Sequence, residues 1–354
     1  MPFRTRIRSL LLPAFLLAAG ACAHSDPFQD PGETNHGPFS PALPVQLTYN
    51  PGPDLTPAFL PGDTIVLYSY RRSGALTFNQ CLGALPVAGG TTVSESCPRS
   101  ASALDSTQRY ENPVALNDSI VVLVQSARLK GAGADAITLL GTAPWRTADQ
   151  FTPRVTFPVP LSNGVLEISA NYLSLIGGDE LAYLAMVDVS ACPGDQPFCD
   201  RPTLLRVGRE IARLVLQGTA DPVVLAGTDY ATSAAAGRTV GTVLYTLPFD
   251  TRVYERQPDG STLTLFDFGA DSIARDPMLV GSQLVAIVGG TATRWTSGEG
   301  VPLQVDGGGN IAQVNLASGQ VQYIAGAYRR PALSHDARVL IAETAGDLFR
   351  FDLP

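Results

Sequence analysis

The chain is poor in charged residues and contains almost no lysine. Of its 354 residues, 16% are Asp, Glu, Lys or Arg, and Lys130 is the single lysine. So few long charged side chains exclude a helical bundle, and a hydrophobic content of 45% excludes a disordered chain. The formal net charge is −8. An acidic chain without a Lys/Arg stripe is a poor partner for phosphate backbones, so we expect no nucleic acid ligand.

The sequence also lacks the motifs of common catalytic chemistry. It has no G-x-S-x-G nucleophile elbow, no H-E-x-x-H zinc helix and no EF-hand loop. Ser334, His335 and Asp336 are the residue types of a catalytic triad, but consecutive residues cannot form its spatial relay. We therefore expect no enzyme, no catalytic residue and no cofactor. Paired carboxylates on different strands would escape this search.

Long hydrophobic runs are missing except at the N-terminus. Arg4, Arg6 and Arg8 precede an apolar stretch at 10–19 that is too short to span a bilayer, which indicates a signal peptide over residues 1–21. The small residues before Cys22 resemble the bacterial lipoprotein box, which implies cleavage and acylation of that cysteine. Ala23 implies outer-membrane sorting in that family, with the protein facing the periplasm or the cell surface. The alternative is plain secretion with an incidental Cys22.

Four further cysteines remain after Cys22, and an even number in an exported chain implies disulfides. Cys81 and Cys97 lie at equal distances from the turn at 88–90, so a hairpin would place them opposite each other. Cys192 and Cys199 bracket a short turn-rich loop that can close on itself. A metal site is the rival interpretation. The sequence has no C-x-x-C pair and three histidines, so we predict disulfides and no metal.

Beyond residue 44 the chain repeats a pattern of short strands and turns. Residues 22–44 are Pro-rich and aperiodic, and we expect an extended tether there. No useful amphipathic helix follows, which indicates an all-β domain over residues 45–354. Each repeat has a short strand, a tight polar turn and a strongly apolar strand. The six repeats begin at Pro57, Pro113, Leu173, Ala234, Pro277 and Pro331.

The last repeat carries a specific signature. The sequence from Pro331 to Val339, Pro-Ala-Leu-Ser-His-Asp-Ala-Arg-Val, resembles the Pro-x-Trp-Ser-Pro-Asp-Gly signature of TolB-type, WD-repeat-like β-propellers. Leu333, His335 and Ala337 replace the usual Trp, Pro and Gly. The resemblance covers residues 45–354 and implies a propeller that docks a partner at the cell envelope. The separate N-terminal α/β domain of TolB-type proteins has no counterpart in these residues, which leaves the partner undefined.

The two ends of the β domain are complementary. The last repeat contains three strands, and the segment at 44–50 can supply a fourth. Pairing of these segments would close the ring and remove an exposed sheet edge. We therefore predict a β-propeller with six four-stranded blades closed by pairing of the N- and C-terminal strands. Seven blades are the alternative, because the repeat spacing leaves room for a short additional blade.

In a propeller, the loops entering the innermost strands gather around one mouth of the central channel. Tyr and Arg are the side chains that most often anchor interfaces. The alternative is a solvated polar rim without a ligand, with Trp145 and Trp295 packing inserts against the ring. The candidate binding mouth consists of Asp54, Arg71, Arg72, Tyr110, Tyr172, Tyr230, Asp276, Tyr328, Arg329 and Arg330, flanked by Glu111, Asn112 and Arg275.

These observations favour a lipid-anchored propeller that binds or scaffolds an envelope protein or peptide. Its second predicted partner is the lipid bilayer, through acylated Cys22. One rival is a glycan or small-molecule binder, or a hydrolase or lyase, that uses the central funnel. Another is a purely structural envelope protein without a ligand.

Overall fold

A computed structural model describes residues 44–49, 52–71, 80–98, 107–128, 137–164, 166–188, 207–217, 221–228, 230–270, 272–289, 293–296, 302–305 and 308–353. In these residues the regular structure is β-strand apart from one 3₁₀ turn at Ala148–Gln150. No helix there has the length and apolar character needed to cross a bilayer. The predicted signal segment 1–21, Cys22 and the tether up to residue 43 lie outside the described residues.

The strands are short and follow one another along the whole described chain. Those of its first half are β1 (Val45–Gln46), β2 (Asp54–Phe59), β3 (Ile65–Arg71), β4 (Gln80–Pro86), β5 (Ser94–Ser96), β6 (Thr107–Ala115), β7 (Ile120–Arg128), β8 (Ile137–Pro144), β9 (Thr152–Phe157), β10 (Val159–Pro160), β11 (Leu166–Gly177), β12 (Glu180–Asp188), β13 (Val207–Val215) and β14 (Val223–Val224). Those of its second half are β15 (Ser233–Ala236), β16 (Val243–Thr246), β17 (Arg252–Arg256), β18 (Thr262–Asp267), β19 (Ala274–Val280), β20 (Gln283–Val288), β21 (Thr293–Thr296), β22 (Pro302–Val305), β23 (Gly309–Asn315), β24 (Gln320–Leu333), β25 (Val339–Thr344) and β26 (Asp347–Asp352).

Consecutive strands pair into four-stranded antiparallel units. Unit 1 contains β2–β5, unit 2 contains β6–β9, unit 3 contains β11–β14 and unit 4 contains β15–β18. Unit 5 contains β19, β20, β23 and the first half of β24. Unit 6 contains the second half of β24, followed by β25, β26 and β1. β10 adds to the start of β11, and β21 and β22 form a hairpin inserted in unit 5. We call the first strand of each unit its inner strand.

The second strand of each unit explains the apolar runs of the repeats. In β3 and β20, five consecutive residues are buried. A strand packed on both faces has no solvent-facing side, so its sequence is continuously apolar rather than alternating. The repeats in the sequence therefore correspond to inner strands followed by fully covered second strands.

The units pack against one another in cyclic order. The inner strands make contact as β2 with β6, β6 with β11, β11 with β15, β15 with β19, β19 with β24, and β24 with β2. Buried apolar clusters lie between neighbouring units, and one of them joins Phe59 of unit 1 to Ile341 of unit 6. The core is therefore distributed between units rather than gathered at one centre.

The N-terminal strand completes the last unit. β1 pairs antiparallel with β26, with Val45 opposite Arg350 and Gln46 opposite Phe349. The N–H of Leu47 donates to the carbonyl of Leu348 at 2.8 Å, and the N–H of Leu348 donates to Oγ1 of Thr48 at 2.9 Å. The pairing of terminal strands expected from the sequence is therefore present.

Candidate functional site

Five of the inner strands carry a β-bulge at the same level. The register shifts between Leu55 and Ala58 in β2, and shifts at matching places in β6, β11, β19 and β24. One residue of each bulge has left-handed backbone geometry, which is uncommon outside glycine. These residues are Thr56 (φ 54°), Asn112 (φ 51°), Tyr172 (φ 50°), Asp276 (φ 47°) and Arg330 (φ 42°).

Proline follows the left-handed residue in four of the five bulges. A proline has no N–H to give to the strand ladder, so within sheets it is confined to edges and bulges. Bulges re-aim side chains and concentrate near functional sites. The fourth unit differs, because Ser233 pairs in register with Thr246 and its strand has no bulge. The recurring X-Pro step at the start of the repeats was the available sequence signal for this feature.

The bulges surround a central cavity of about 130 Å³. All six inner strands contribute to its lining. The polar and aromatic side chains in the lining are those of Thr56, Asn112, Tyr172, Ser174, Ser233, Asp276 and Arg330. In most units, the bulge therefore directs a polar side chain into the central cavity.

Two contacts between units hold side chains in this cavity. The guanidinium of Arg330 lies over the ring of Tyr172, 5.3 Å from its centroid. The side-chain amide of Asn112 donates from Nδ2 to Oδ1 of Asn171 at 3.0 Å. The first contact joins units 6 and 3 and the second joins units 2 and 3, so both brace the cavity across unit boundaries.

Buried carboxylates accept hydrogen bonds from backbone N–H groups that the bulges leave without a partner strand. The backbone N–H of Arg330 donates to Oδ2 of Asp276 at 3.1 Å. The backbone N–H of Thr56 donates to Oε1 of Glu343 in the neighbouring unit. Asp276 and Glu343 are 6% and 5% exposed, and each links one unit to the next. Glu343 was not among the predicted site residues, because it lies in a second strand, β25, and not in a loop that enters an inner strand.

The cavity brings together three residues of the predicted mouth, Tyr172, Asp276 and Arg330. Asp54, Tyr110 and Tyr328 were predicted beside them, and this prediction is wrong. They stand two residues before the left-handed position of their strands and are 0%, 1% and 7% exposed. This position points between neighbouring units, and Ala170 and Ala274, which occupy it in β11 and β19, are buried as well.

Contacts confirm the structural role of this buried position. The hydroxyl of Tyr110 donates to the carbonyl of Ala148 at 2.9 Å, and the ring of Tyr328 packs edge-on against Phe351. The guanidinium of Arg275 is buried as well and donates from Nη2 to the carbonyls of Gly289 and Gly308. The hydrogen bonds of Tyr110 and Arg275 lie within units 2 and 5. The rings of Tyr110 and Tyr328 also pack in the apolar clusters that join unit 1 to unit 2 and unit 5 to unit 6.

Three predicted residues remain exposed around one end of the cavity. We call the end at which the inner strands begin the proximal mouth, and the opposite end the distal mouth. Arg329 and Tyr230 precede cavity residues of β24 and β15, and Arg71 ends β3 beside the start of β2.

Arg72 lies outside the described residues. Trp145 is buried between units 1 and 2, and the side chain of Trp295 is not described.

The predicted hairpin disulfide is formed. Cys81 and Cys97 are bonded, in register with the neighbouring pair Leu82 and Ser96 of β4 and β5. Cys192 and Cys199 lie outside the described residues. Within the described ranges, no group of three or more His, Cys, Asp and Glu side chains is placed to hold a metal ion.

The triad-type residues belong to a turn at the distal mouth. Oγ of Ser334 donates to Oδ1 of Asp336 at 2.7 Å. Nδ1 of His335 lies 2.6 Å from Oδ1 of Asp63 in unit 1. The turn therefore contacts the neighbouring unit and leaves the three side chains without a relay geometry.

One strongly shifted titratable group lies away from the cavity. Burial raises the pKa of Glu167 from 4.5 to about 8, although a hydrogen bond from Tyr183 partly opposes the shift. The Tyr183 hydroxyl donates to Oε2 of Glu167 at 2.9 Å, and burial followed by the nearby carboxyl raises the pKa of Tyr183. At neutral pH Glu167 therefore holds a proton inside unit 3.

No protein-family model matches the sequence, and no curated protein matches it. Solved structures are similar to the chain in fold. A gluconolactonase from Xanthomonas campestris matches with 12% identity and a TM-score of 0.50, over 88% of this chain and 89% of its own. A puromycin hydrolase matches with 12% identity and a TM-score of 0.50, over 87% of this chain and 52% of its own. A putative TolB from Agrobacterium tumefaciens matches with 12% identity and a TM-score of 0.47, over 87% of this chain and 93% of its own.

These similarities show the fold, an all-β propeller, and at such low identity they show nothing more. They also correct one expectation. The prediction that the chain is not an enzyme is wrong as an inference, because a lactonase and a hydrolase are among the proteins that share its fold. The similarities do not assign an activity to this chain.

Proposed function

We propose that the six units are the blades of one closed propeller. The cyclic contacts of the inner strands, the apolar clusters between neighbouring units and the pairing of β1 with β26 support this arrangement. Closure by a terminal strand removes the edges that an open stack of sheets would expose. A ring of this kind holds its inner strands rigidly around the central cavity.

The propeller acts as a binding module that docks a protein or peptide at its proximal mouth. The observation that carries this proposal is the set of five left-handed residues around one cavity. Non-glycine residues in left-handed geometry cost free energy, and such strain is retained where it positions functional groups. Here the strain places Tyr172, Asp276 and Arg330 together beneath an exposed rim that includes Arg329 and Tyr230.

The site of action in this proposal is the bacterial cell envelope. The basic and apolar N-terminus and the resemblance of its end to a lipoprotein box support export and acylation of Cys22. The Pro-rich tether then leads into β1, the strand that completes unit 6. Cys22→Ser should release the protein from the membrane fraction, and a variant that stays membrane-bound would contradict lipid anchoring.

A cross-linked pull-down from intact envelopes tests docking. The full chain would be compared with an Arg329→Ala/Arg330→Ala variant of the proximal mouth. Arg338→Ala is the matched control, because Arg338 is an exposed arginine of the turn at the distal mouth. We expect one envelope protein to be recovered with the wild type and the control and lost with the double variant. Equal recovery with all three would contradict docking at the proximal mouth.

A second candidate function is binding of a sugar or another small molecule, with or without its turnover. The cavity itself favours it, since charged, amide and aromatic side chains converge there. Calorimetric screening of envelope sugars against the wild type and Asp276→Asn would test it. Heat of binding that the variant loses would support this function, and its absence for every sugar would leave protein docking as the candidate.

A further inference from the structure

The last strand of each unit, which we call its outer strand, forms an edge of the sheet, and most of these edges are short, charged or interrupted by proline. β14 and β1, which end units 3 and 6, have two residues each. β5 of unit 1 has three, with Glu95 at its centre. β9 of unit 2 contains Pro153 and Arg154, and β18 of unit 4 ends on Asp267. Natural sheets use such devices to keep exposed edges from pairing with other strands.

The outer strand of unit 5 lacks these devices. It is the first half of β24, and in the described part of the chain its residues 320–324 pair with β23 alone. Their sequence, Gln-Val-Gln-Tyr-Ile, contains no charge and no proline. Tyr323 is 55% exposed, and Gln320 and Gln322 are exposed as well. Among the outer strands described, this one is therefore the best suited to pair with a further strand.

The hydrogen bonds of β23 show which backbone groups of this edge point outwards. The N–H of Leu316, directly after β23, donates at 2.8 Å to the carbonyl of the residue that precedes β20. Because backbone groups along a strand alternate between its two neighbours, those of Gln313 face β24, and those of its partner Gln322 face β23. The N–H and C=O groups of Val321 and Tyr323, on either side of Gln322, therefore point to the open edge.

We infer that this edge pairs with the same edge of a second copy of the chain. A two-fold axis through Gln322 would place Val321 of each copy opposite Tyr323 of the other, where their outward N–H and C=O groups bond to each other. An aromatic residue opposite a β-branched residue is a favourable cross-strand pair. The two Gln322 side chains would also meet, and an amide both donates and accepts hydrogen bonds.

The absence of charge favours a second copy as the occupant of this edge. Two copies of a chain with net charge −8 repel each other, and this edge lets them approach without opposing like charges. Pairing of five residues is small for an interface, so we expect a reversible dimer that forms at high protein concentration. The inference concerns the outer side of unit 5 and does not depend on docking at the proximal mouth.

Sedimentation equilibrium at several protein concentrations tests this inference with charge variants at the two-fold axis. All proteins are full chains carrying Cys22→Ser, which keeps acylation out of the measurement. We expect a monomer–dimer equilibrium for the unchanged edge. Gln322→Glu and Gln322→Lys should each weaken dimerisation at least about tenfold, because like charges then face each other, and an equimolar mixture of the two should restore it. Thr264→Lys is the matched control, because Thr264 is exposed in β18, and it should leave dimerisation unchanged.

A monomer at every concentration would overturn the inference. Equal weakening by Thr264→Lys, or a mixture of the two Gln322 variants that does not recover, would overturn the two-fold pairing. Hydrogen exchange identifies other occupants, because the amides of Val321 and Tyr323 should exchange in dilute protein and become protected in concentrated protein. Protection in the dilute monomer would assign the edge to another segment of this chain and overturn the second copy. Docking at the proximal mouth is tested separately, since the envelope pull-down should give the same result with Gln322→Lys as with the wild type.

Discussion

Arg330 stacks on Tyr172 across the central cavity, with 5.3 Å between its guanidinium carbon and the ring centroid. The two residues belong to units 6 and 3, which are not neighbours in the order of contacts between the described inner strands. Both have left-handed backbone geometry within a bulge. The bulges therefore bring two non-neighbouring units into contact at one charged and aromatic pair.

This stack should couple the two sides energetically. In a double-mutant cycle with Arg330→Leu and Tyr172→Leu, we expect a coupling of about 1 kcal/mol in the free energy of unfolding. The measurement is denaturant unfolding of the four proteins. Strictly additive effects would show that the contact contributes nothing to stability.

The N-terminal strand should be essential for stability although it is only two residues long. Leu47 follows it and is 2% exposed, so Leu47→Ala should lower the free energy of unfolding by about 2–4 kcal/mol. Leu263→Ala is the matched control, because Leu263 is exposed in β18 and should change stability by less than about 0.5 kcal/mol. Similar effects of the two substitutions would argue against ring closure by β1.

Glu167 should make stability depend on pH. In the unfolded chain this carboxyl ionises near pH 4.5, whereas in the fold it keeps its proton up to about pH 8. The folded state binds the extra proton, so the free energy of unfolding should fall as pH rises from about 4.5 to 8.

Glu167→Gln removes this titration and retains an acceptor for Tyr183. At pH 8.5 the variant should be more stable than the wild type, by about 4–5 kcal/mol. Below the unfolded pKa the two proteins should be equally stable. Thermal unfolding at both pH values measures the difference, and parallel pH profiles would contradict a buried, protonated carboxyl.

A glycine should improve the turn of the last repeat. Ala337 has φ 59°, a geometry that favours glycine, and the TolB-type signature that the last repeat resembles has Gly at this position. Ala337→Gly should raise the free energy of unfolding by about 0.5–1 kcal/mol. Ala236→Gly in β15 should lower it by a similar amount, because glycine weakens an ordinary strand. Destabilisation by both would show that the side chain of Ala337 outweighs its backbone strain.

Much of the fold could be predicted from the sequence, because its signals are local. The repeats starting at Pro57 and Pro331 mark an inner strand, a turn and a covered second strand, and the structure contains these elements in every unit. The disulfide between Cys81 and Cys97 followed from the symmetry of a hairpin about its turn. The terminal pairing could be predicted because the last repeat lacked one strand.

The arrangement of the site was predictable only in part, because a bulge reverses the alternation of side chains. Tyr172 and Arg330 stand at the left-handed position and reach the cavity, whereas Tyr110 and Tyr328 stand two residues earlier and are buried between units. Composition alone does not separate these positions. The X-Pro steps at Thr56 and Asn112 would have fixed the register if they had been interpreted as bulges.

Site-specific photocross-linking in intact envelopes tests the central claim, docking at the proximal mouth, most directly. p-Benzoylphenylalanine would replace Arg329 at the proximal mouth in one protein and Arg338 at the distal mouth in another. We predict one discrete cross-linked envelope protein from position 329 and none from position 338. The same product from both positions, or a product from position 338 alone, would contradict docking at the proximal mouth.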